Sequence, residues 1–376
     1  MDLIYFDNAA TSRIKPESVY DAFNYYMREI GTSPGRGSYK LGVQASRMLY
    51  QARKTVASFF GISDSSCVYF SKSSTESINL FFNGYLSAGD HVIMSCYEHN
   101  AVLRPIHALS ISKGIKYSII SEKDLYTNDL NELDKYITPN TKVVALTLAS
   151  NLTGQIVYRS ALGEYFKSKG IVVFVDASQG GGKQLVNMDN DSIDYLAFTG
   201  HKDLFGIQGI GGLCCRTELK VAPLIQGGTG VFGDLYLNPE VYPEAYEAGT
   251  LNMPAIWALK TGMDYIIKHK LEIHQHETML IEKLLEGLLN LPNVIIYNET
   301  MPRVPTICFN IDGVKSSEVV QLLDKDDICV RGGIHCAILA HQTLNTVEIG
   351  AVRVSMNFYN TFDEVEYFLS RIREIR

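Results

Sequence analysis

Two short apolar runs, each ending in polar residues, constrain this chain most. Ile171-Val-Val-Phe-Val175 stops at Asp176, and Tyr195-Leu-Ala-Phe198 stops at Thr199, His201 and Lys202. Both are too short for helices and too apolar to face water, so they read as buried strands of a parallel sheet. Such sheets bind ligands beyond the carboxyl ends of their strands. Asp176 and Lys202 should therefore reach into one crevice from separate strands. Each has an ordinary reading when taken alone: a strand-end Asp caps, and a Lys after a strand is solvated. Together, with Gln179 and His201 alongside, they suggest an aldehyde cofactor bound to a lysine. The lysine would form a Schiff base, and the carboxylate would keep a pyridine nitrogen protonated as an electron sink.

A chain of 376 residues has room for two cores. Its 46% hydrophobic and 20% charged residues are ordinary for a soluble globular protein. The net charge of −7 argues against a nucleic-acid-binding face as the main business. No apolar run is long enough to span a bilayer. The acidic opening Met1-Asp-Leu-Ile-Tyr-Phe-Asp7 shows no secretory signal. Seven cysteines stand at positions 67, 96, 214, 215, 308, 329 and 336, with no C-x-x-C pair. That pattern fits reduced thiols in a cytoplasmic protein. Most lie in apolar runs as small hydrophobes; Cys336 does not.

Val175-Asp176-Ala-Ser-Gln179 followed by Thr199-Gly-His201-Lys202 resembles the signature of class V aminotransferase-like pyridoxal phosphate enzymes. Cysteine desulfurases and selenocysteine lyases belong to that family. The resemblance runs in order along nearly the whole chain. Ser74 and Thr75 precede an apolar helix. Hydroxyls there are common N-caps, but the family's matching group holds the cofactor phosphate at a helix N-terminus. His99, between a strand and a helix, would stack on the pyridine ring. Ser150-Asn151-Leu-Thr-Gly154 is similar to the family's Ser-Asn-x-x-Gly. There the Asn donates to the ring oxygen of the cofactor, and Asn151 also joins the substrate set. Asp176, Gln179, Thr199, His201 and Lys202 complete the implied cofactor set.

The loop Gly31-Thr-Ser-Pro-Gly-Arg36-Gly-Ser-Tyr39 and the aperiodic stretch 226–252 match segments that the family uses between subunits. By that resemblance Arg36 faces substrate, and Thr250 reaches the phosphate of the other subunit's cofactor. Further on, Arg331-Gly-Gly-Ile-His335-Cys336-Ala337 is similar to the Arg-x-Gly-x-His-Cys-Ala of group II desulfurases, whose Cys attacks substrate sulfur. Its glycines predict a mobile loop. Arg331 and His335 are expected as cationic neighbours that favour the thiolate. On local features alone an idle loop cysteine fits as well, and Ile334 departs from the His usual in the family. Arg353, in a strand pattern, would clamp the substrate carboxylate.

The resemblance implies an α/β fold of the type I pyridoxal phosphate transferases. A large domain with a mostly parallel sheet would take residues 13–253, and a smaller α+β domain residues 1–12 and 254–376. It implies a cysteine desulfurase with Lys202, Cys336 and His99 as catalytic residues. L-cysteine would become L-alanine, with the sulfur left on Cys336 as a persulfide. It also implies a homodimer that passes sulfur to an acceptor protein, as in iron–sulfur cluster assembly. No metal, nucleic acid or membrane partner is expected. Two other readings share this framework: a lyase acting on L-selenocysteine, and a family member in which Cys336 only accepts sulfur released elsewhere. A binding protein that had lost turnover would lack Lys202 or Asp176, and both are present.

Overall fold

The computed structural model describes residues 3–35 and 37–375, so Arg36 lies outside the described residues. Its strands, in chain order, are β1 (Ile4–Tyr5), β2 (Val68–Ser71), β3 (His91–Ser95), β4 (Lys116–Ile120), β5 (Thr141–Thr147), β6 (Val172–Asp176) and β7 (Tyr195–Thr199). They continue with β8 (Gly211–Cys215), β9 (Val294–Ile296), β10 (Thr306–Ile311), β11 (Ile328–Cys329), β12 (Arg331–Gly333) and β13 (Ala351–Ser355).

The two apolar runs are β6 and β7. They are hydrogen-bonded neighbours, paired in parallel with Phe174 opposite Tyr195 and Asp176 opposite Ala197. They lie at the middle of a seven-stranded sheet ordered β2-β8-β7-β6-β5-β3-β4. Strands β3 to β7 run parallel, and β8 runs antiparallel between β7 and β2. β3, β7 and β8 are buried at every position. A strand without a polar face must be covered on both sides, and the crossover helices supply that cover. Helix Ser74–Tyr85 follows β2, Asn100–Ser112 follows β3 and Ser160–Ser168 follows β5. Phe81 packs its ring on Phe174 of β6 at 4.8 Å and on Tyr195 of β7 at 4.5 Å.

A second core gathers Ile4, Phe6, Leu284, Phe309, Val352 and Phe368. It surrounds an antiparallel sheet ordered β12-β13-β10-β9. Helix Met253–Leu289 joins the two cores, with non-helical backbone at His269. Before that kink Ile256, Leu259 and Met263 pack in the larger core; after it Leu280, Leu284 and Leu288 pack in the smaller one. The sequence pattern suggests helices on both sides of residue 270, and the chain runs through as one kinked element.

The amino-terminal residues cross between the cores. Phe6 is buried in the smaller core, and Ser12 N donates to the carbonyl of His201 in the larger unit (3.0 Å). The expected glycine-bearing mobile loop needs correction. Gly332 and Gly333 sit in β12, paired with Val352 and Ala351 of β13. A Cβ on Gly332 would come within 2.9 Å of the Ser316 carbonyl, so close packing accounts for that glycine. The irregular segment is Ile334 to Ala337.

Candidate active site

Asp176 is the last residue of β6, and Lys202 stands three residues past the end of β7. The loops that carry them are tied together, because Gly180 N donates to Asp203 Oδ2 at 2.6 Å. A cavity of about 120 Å³ opens beyond these strand ends. Ser74, Thr75, His99, Asn151, Asp176, Gln179, Thr199, His201 and Lys202 all line it. Nine residues named from sequence thus meet in one space. Topology explains this: each ends or follows a strand whose carboxyl end points the same way.

Asp176 is buried, and its Oδ1 accepts from Ser178 N (3.0 Å) and Ser178 Oγ (2.5 Å). Burial pushes its carboxyl up, while the Ser178 bonds and Lys202 pull it down. Burial lowers the Lys202 amine, with Asp176 opposing and Arg353 reinforcing. Lys202 forms no ion pair among the described residues. A lysine held this way reaches its free-amine form more easily than a solvated one.

His99 is the N-cap of helix Asn100–Ser112, and its Nδ1 accepts from Ala101 N (3.0 Å). Burial, then Lys202 and nearby arginines, bring this imidazole down to about 3. The ring is therefore neutral, with its proton on Nε2. Burial and Lys202 bring His201 down to about 4, and its buried Nδ1 has no partner among the described residues. Ser74 and Thr75 occupy the first turn of their helix, capped by Ser73, whose side chain accepts from Glu76 N. Gln179 is tied to the amino-terminal segment through Nε2, which donates to the Ala9 carbonyl (2.7 Å).

The cysteine loop reaches this cavity through main-chain bonds. Asn100 N, beside His99, donates to the Cys336 carbonyl (2.8 Å). Asn151 Nδ2 donates to the His335 carbonyl (2.8 Å), leaving Asn151 Oδ1 buried and without a partner among the described residues. Cys336 is exposed, five of the other cysteines are buried, and Cys329 is half-buried. Burial raises the Cys96 thiol to about 12 and the Cys214 and Cys215 thiols well above their ordinary value. His335 is not the expected cation. It is buried and brought down to about 3 by burial and Arg353, and its Nε2 donates to the Arg331 carbonyl (3.1 Å).

Arg353 lies on β13 and is almost wholly buried. It donates to the Asn151 carbonyl (2.9 Å) and pairs with Asp7. Thr250 is exposed and does not line the cavity of its own chain. Sequence reading assigned no role to Ser178 or Glu98. Glu98 adjoins His99 and is fully buried; its Oε1 accepts from Ser95 Oγ (2.5 Å) and Thr147 N (2.6 Å). Its place in the strand–turn run before His99 was the one available signal.

A family model described as aminotransferase class V matches residues 4–368. The chain belongs to the class V aminotransferase family. Among its curated relatives, a probable cysteine desulfurase of Pyrococcus abyssi is 33% identical over 384 residues, covering 100% of this chain and 94% of that protein. The apo structure of a cysteine desulfurase from Thermococcus onnurineus superimposes with a TM-score of 0.91 at 34% identity, covering 100% of this chain and 94% of that one. An Escherichia coli cysteine desulfurase in an S-sulfonic acid form matches with a TM-score of 0.87 at 27% identity, over 99% of this chain and 94% of that one.

Proposed function

We propose that this chain is a pyridoxal phosphate-dependent cysteine desulfurase that converts L-cysteine to L-alanine and holds the sulfur on Cys336 as a persulfide. One observation carries the reading: Lys202, Asp176 and His99 share a cavity whose neighbours Asn100 and Asn151 hold the Cys336 loop. The donor set fits the cofactor. His201 Nδ1 is buried without a partner among the described residues, and the first N–H groups of helix Ser74–Tyr85 have no acceptor within the helix. Ser74 and Thr75 would hold its phosphate. Asp176 would face its ring nitrogen, His99 its ring face, and Asn151 its ring oxygen. Gln179, Thr199 and His201 would line its edge, and Lys202 would bind its aldehyde.

Pyridoxal phosphate, when bound, supplies an electron-withdrawing ring that takes up the electron pair left by a departing α-proton. Lys202 Nζ is the base for that proton, its amine already lowered by burial. Arg353 takes the substrate carboxylate. Cys336 Sγ attacks the substrate sulfur, an S–S bond forms, and the Cβ–S bond breaks. Its electron pair stays on the carbon side, and protonation there completes alanine.

The exposed apolar side chains Phe232, Leu235, Tyr236 and Leu237 in the aperiodic stretch 226–252 support a homodimer. In it Thr250 and, on the family resemblance alone, Arg36 would serve the other subunit's site. The proposed division remains 13–253 against 1–12 with 254–376, in a cytoplasmic protein that hands its sulfur to an acceptor. No helix among the described residues is long and apolar enough to cross a membrane.

The test is chemical. Borohydride should fix the cofactor on Lys202, and brief exposure to L-cysteine without reductant should leave extra sulfur on the Cys336 peptide. Label on a different lysine, or sulfur confined to a different peptide, overturns the reading.

A further inference from the structure

Arg353, the residue read as the carboxylate clamp, is already holding a carboxylate. It is 1% exposed. One terminal nitrogen donates to Asp7 Oδ1, the other donates to the Asn151 carbonyl at 2.9 Å, and Nε has no partner among the described residues. The backbone around Asp7 is fixed. Ser355 N donates to the Phe6 carbonyl (2.7 Å), Asn8 N donates to the Ser355 carbonyl (3.2 Å), and Ala9 N donates to Ser355 Oγ (2.8 Å). Residues 6–9 are thus laced to the end of β13, two positions from Arg353. The Asp7 side chain is still 20% exposed, so it can turn towards water while its backbone stays in place.

We propose that Asp7 is a built-in competitor for the substrate carboxylate, a positioning residue that keeps Arg353 neutralised and aimed until an amino acid displaces it. This inference rests on the reading of Arg353 given above. A guanidinium buried without a counterion is costly, so the site needs an anion between turnovers. The same negative charge weakens the binding of any incoming anion. Substrate and product carry the same carboxylate, so Asp7 loosens both and speeds release of L-alanine. A ligand without a carboxylate cannot take the place of Asp7.

The experiment compares wild-type, Asp7→Asn, Asp7→Glu and Arg353→Lys holoenzymes. It measures KM and kcat for L-cysteine, and the dissociation constants of L-alanine and of cysteamine from the change in cofactor absorbance. Asp7→Asn should bind L-alanine roughly tenfold tighter and lower the KM for L-cysteine in proportion. Its kcat should fall as product release slows, and cysteamine binding should not move. Asp7→Glu should return these values towards wild type. A purely structural role for Asp7 would weaken both ligands together. Unchanged or weaker L-alanine binding by Asp7→Asn overturns the proposal. If that variant does not fold, Asp7→Ser is read by the same criteria. Unchanged L-alanine binding by Arg353→Lys would instead sink the carboxylate-clamp reading itself.

Discussion

The cavity floor and the cysteine loop are built in opposite ways. On the floor, Asp176 is a strand residue held by sheet pairing on both sides and by two bonds from Ser178. Cys336 has an exposed side chain, and both it and His335 adopt left-handed backbone at φ 55°. That conformation costs on the order of 1–3 kcal/mol per residue away from glycine. The loop is held from outside, by Asn100 N and Asn151 Nδ2. The difference teaches a division of labour. Proton transfer at carbon needs groups fixed to a fraction of an ångström. Sulfur transfer needs a thiol that can reach a substrate and then present its cargo.

The largest test of this contrast is Lys202→Ala. It should abolish covalent cofactor attachment and cut turnover at least about a thousandfold, as loss of a general base does. The visible spectrum with and without borohydride checks it. Next comes Cys336→Ala. Desulfuration of L-cysteine should fall about a hundredfold or more, while the cofactor spectrum survives and stability shifts by no more than about 0.5 kcal/mol, as for other exposed side chains. A matching loss of cofactor binding would erase the distinction between floor and loop.

Asn151→Ala sharpens the comparison. It removes one of the two outside tethers, a hydrogen bond contributing about 1 kcal/mol. Amide hydrogen exchange across residues 334–337 in the cofactor-free protein should speed up about fivefold. An unchanged rate would mean that the loop does not depend on Asn151.

The test that touches turnover least concerns Glu98. Burial raises its carboxyl from the ordinary 4.5 to about 8. Between those values the folded chain keeps a proton that the unfolded chain has lost. Stability from this group is therefore fully present below about pH 4.5 and is lost as pH rises through about 8. Glu98→Gln cannot ionise and should lack that slope. Melting temperatures of the two proteins between pH 5 and pH 8.5 should converge at the acidic end and favour the variant at the alkaline end. Parallel curves would show that Glu98 does not carry the proton.

Sequence alone determined the strands β6 and β7 and the meeting of Asp176 with Lys202. Length and unbroken apolarity decide a buried strand, and parallel topology decides that successive strand ends share a crevice. The isolation of Cys336 was legible too, because Arg331, two glycines and His335 precede it where the other cysteines mostly sit inside apolar runs. Tertiary structure alone decided the charges and the pairings. His335 looks like a cation beside Cys336, yet burial and Arg353 make it neutral. Gly332 looks like loop, yet Ser316 packs where its side chain would be. Asp7 meets Arg353 across 346 residues of sequence. Desolvation and ion pairing depend on which atoms end up within a few ångströms, and no local pattern of residues records that distance.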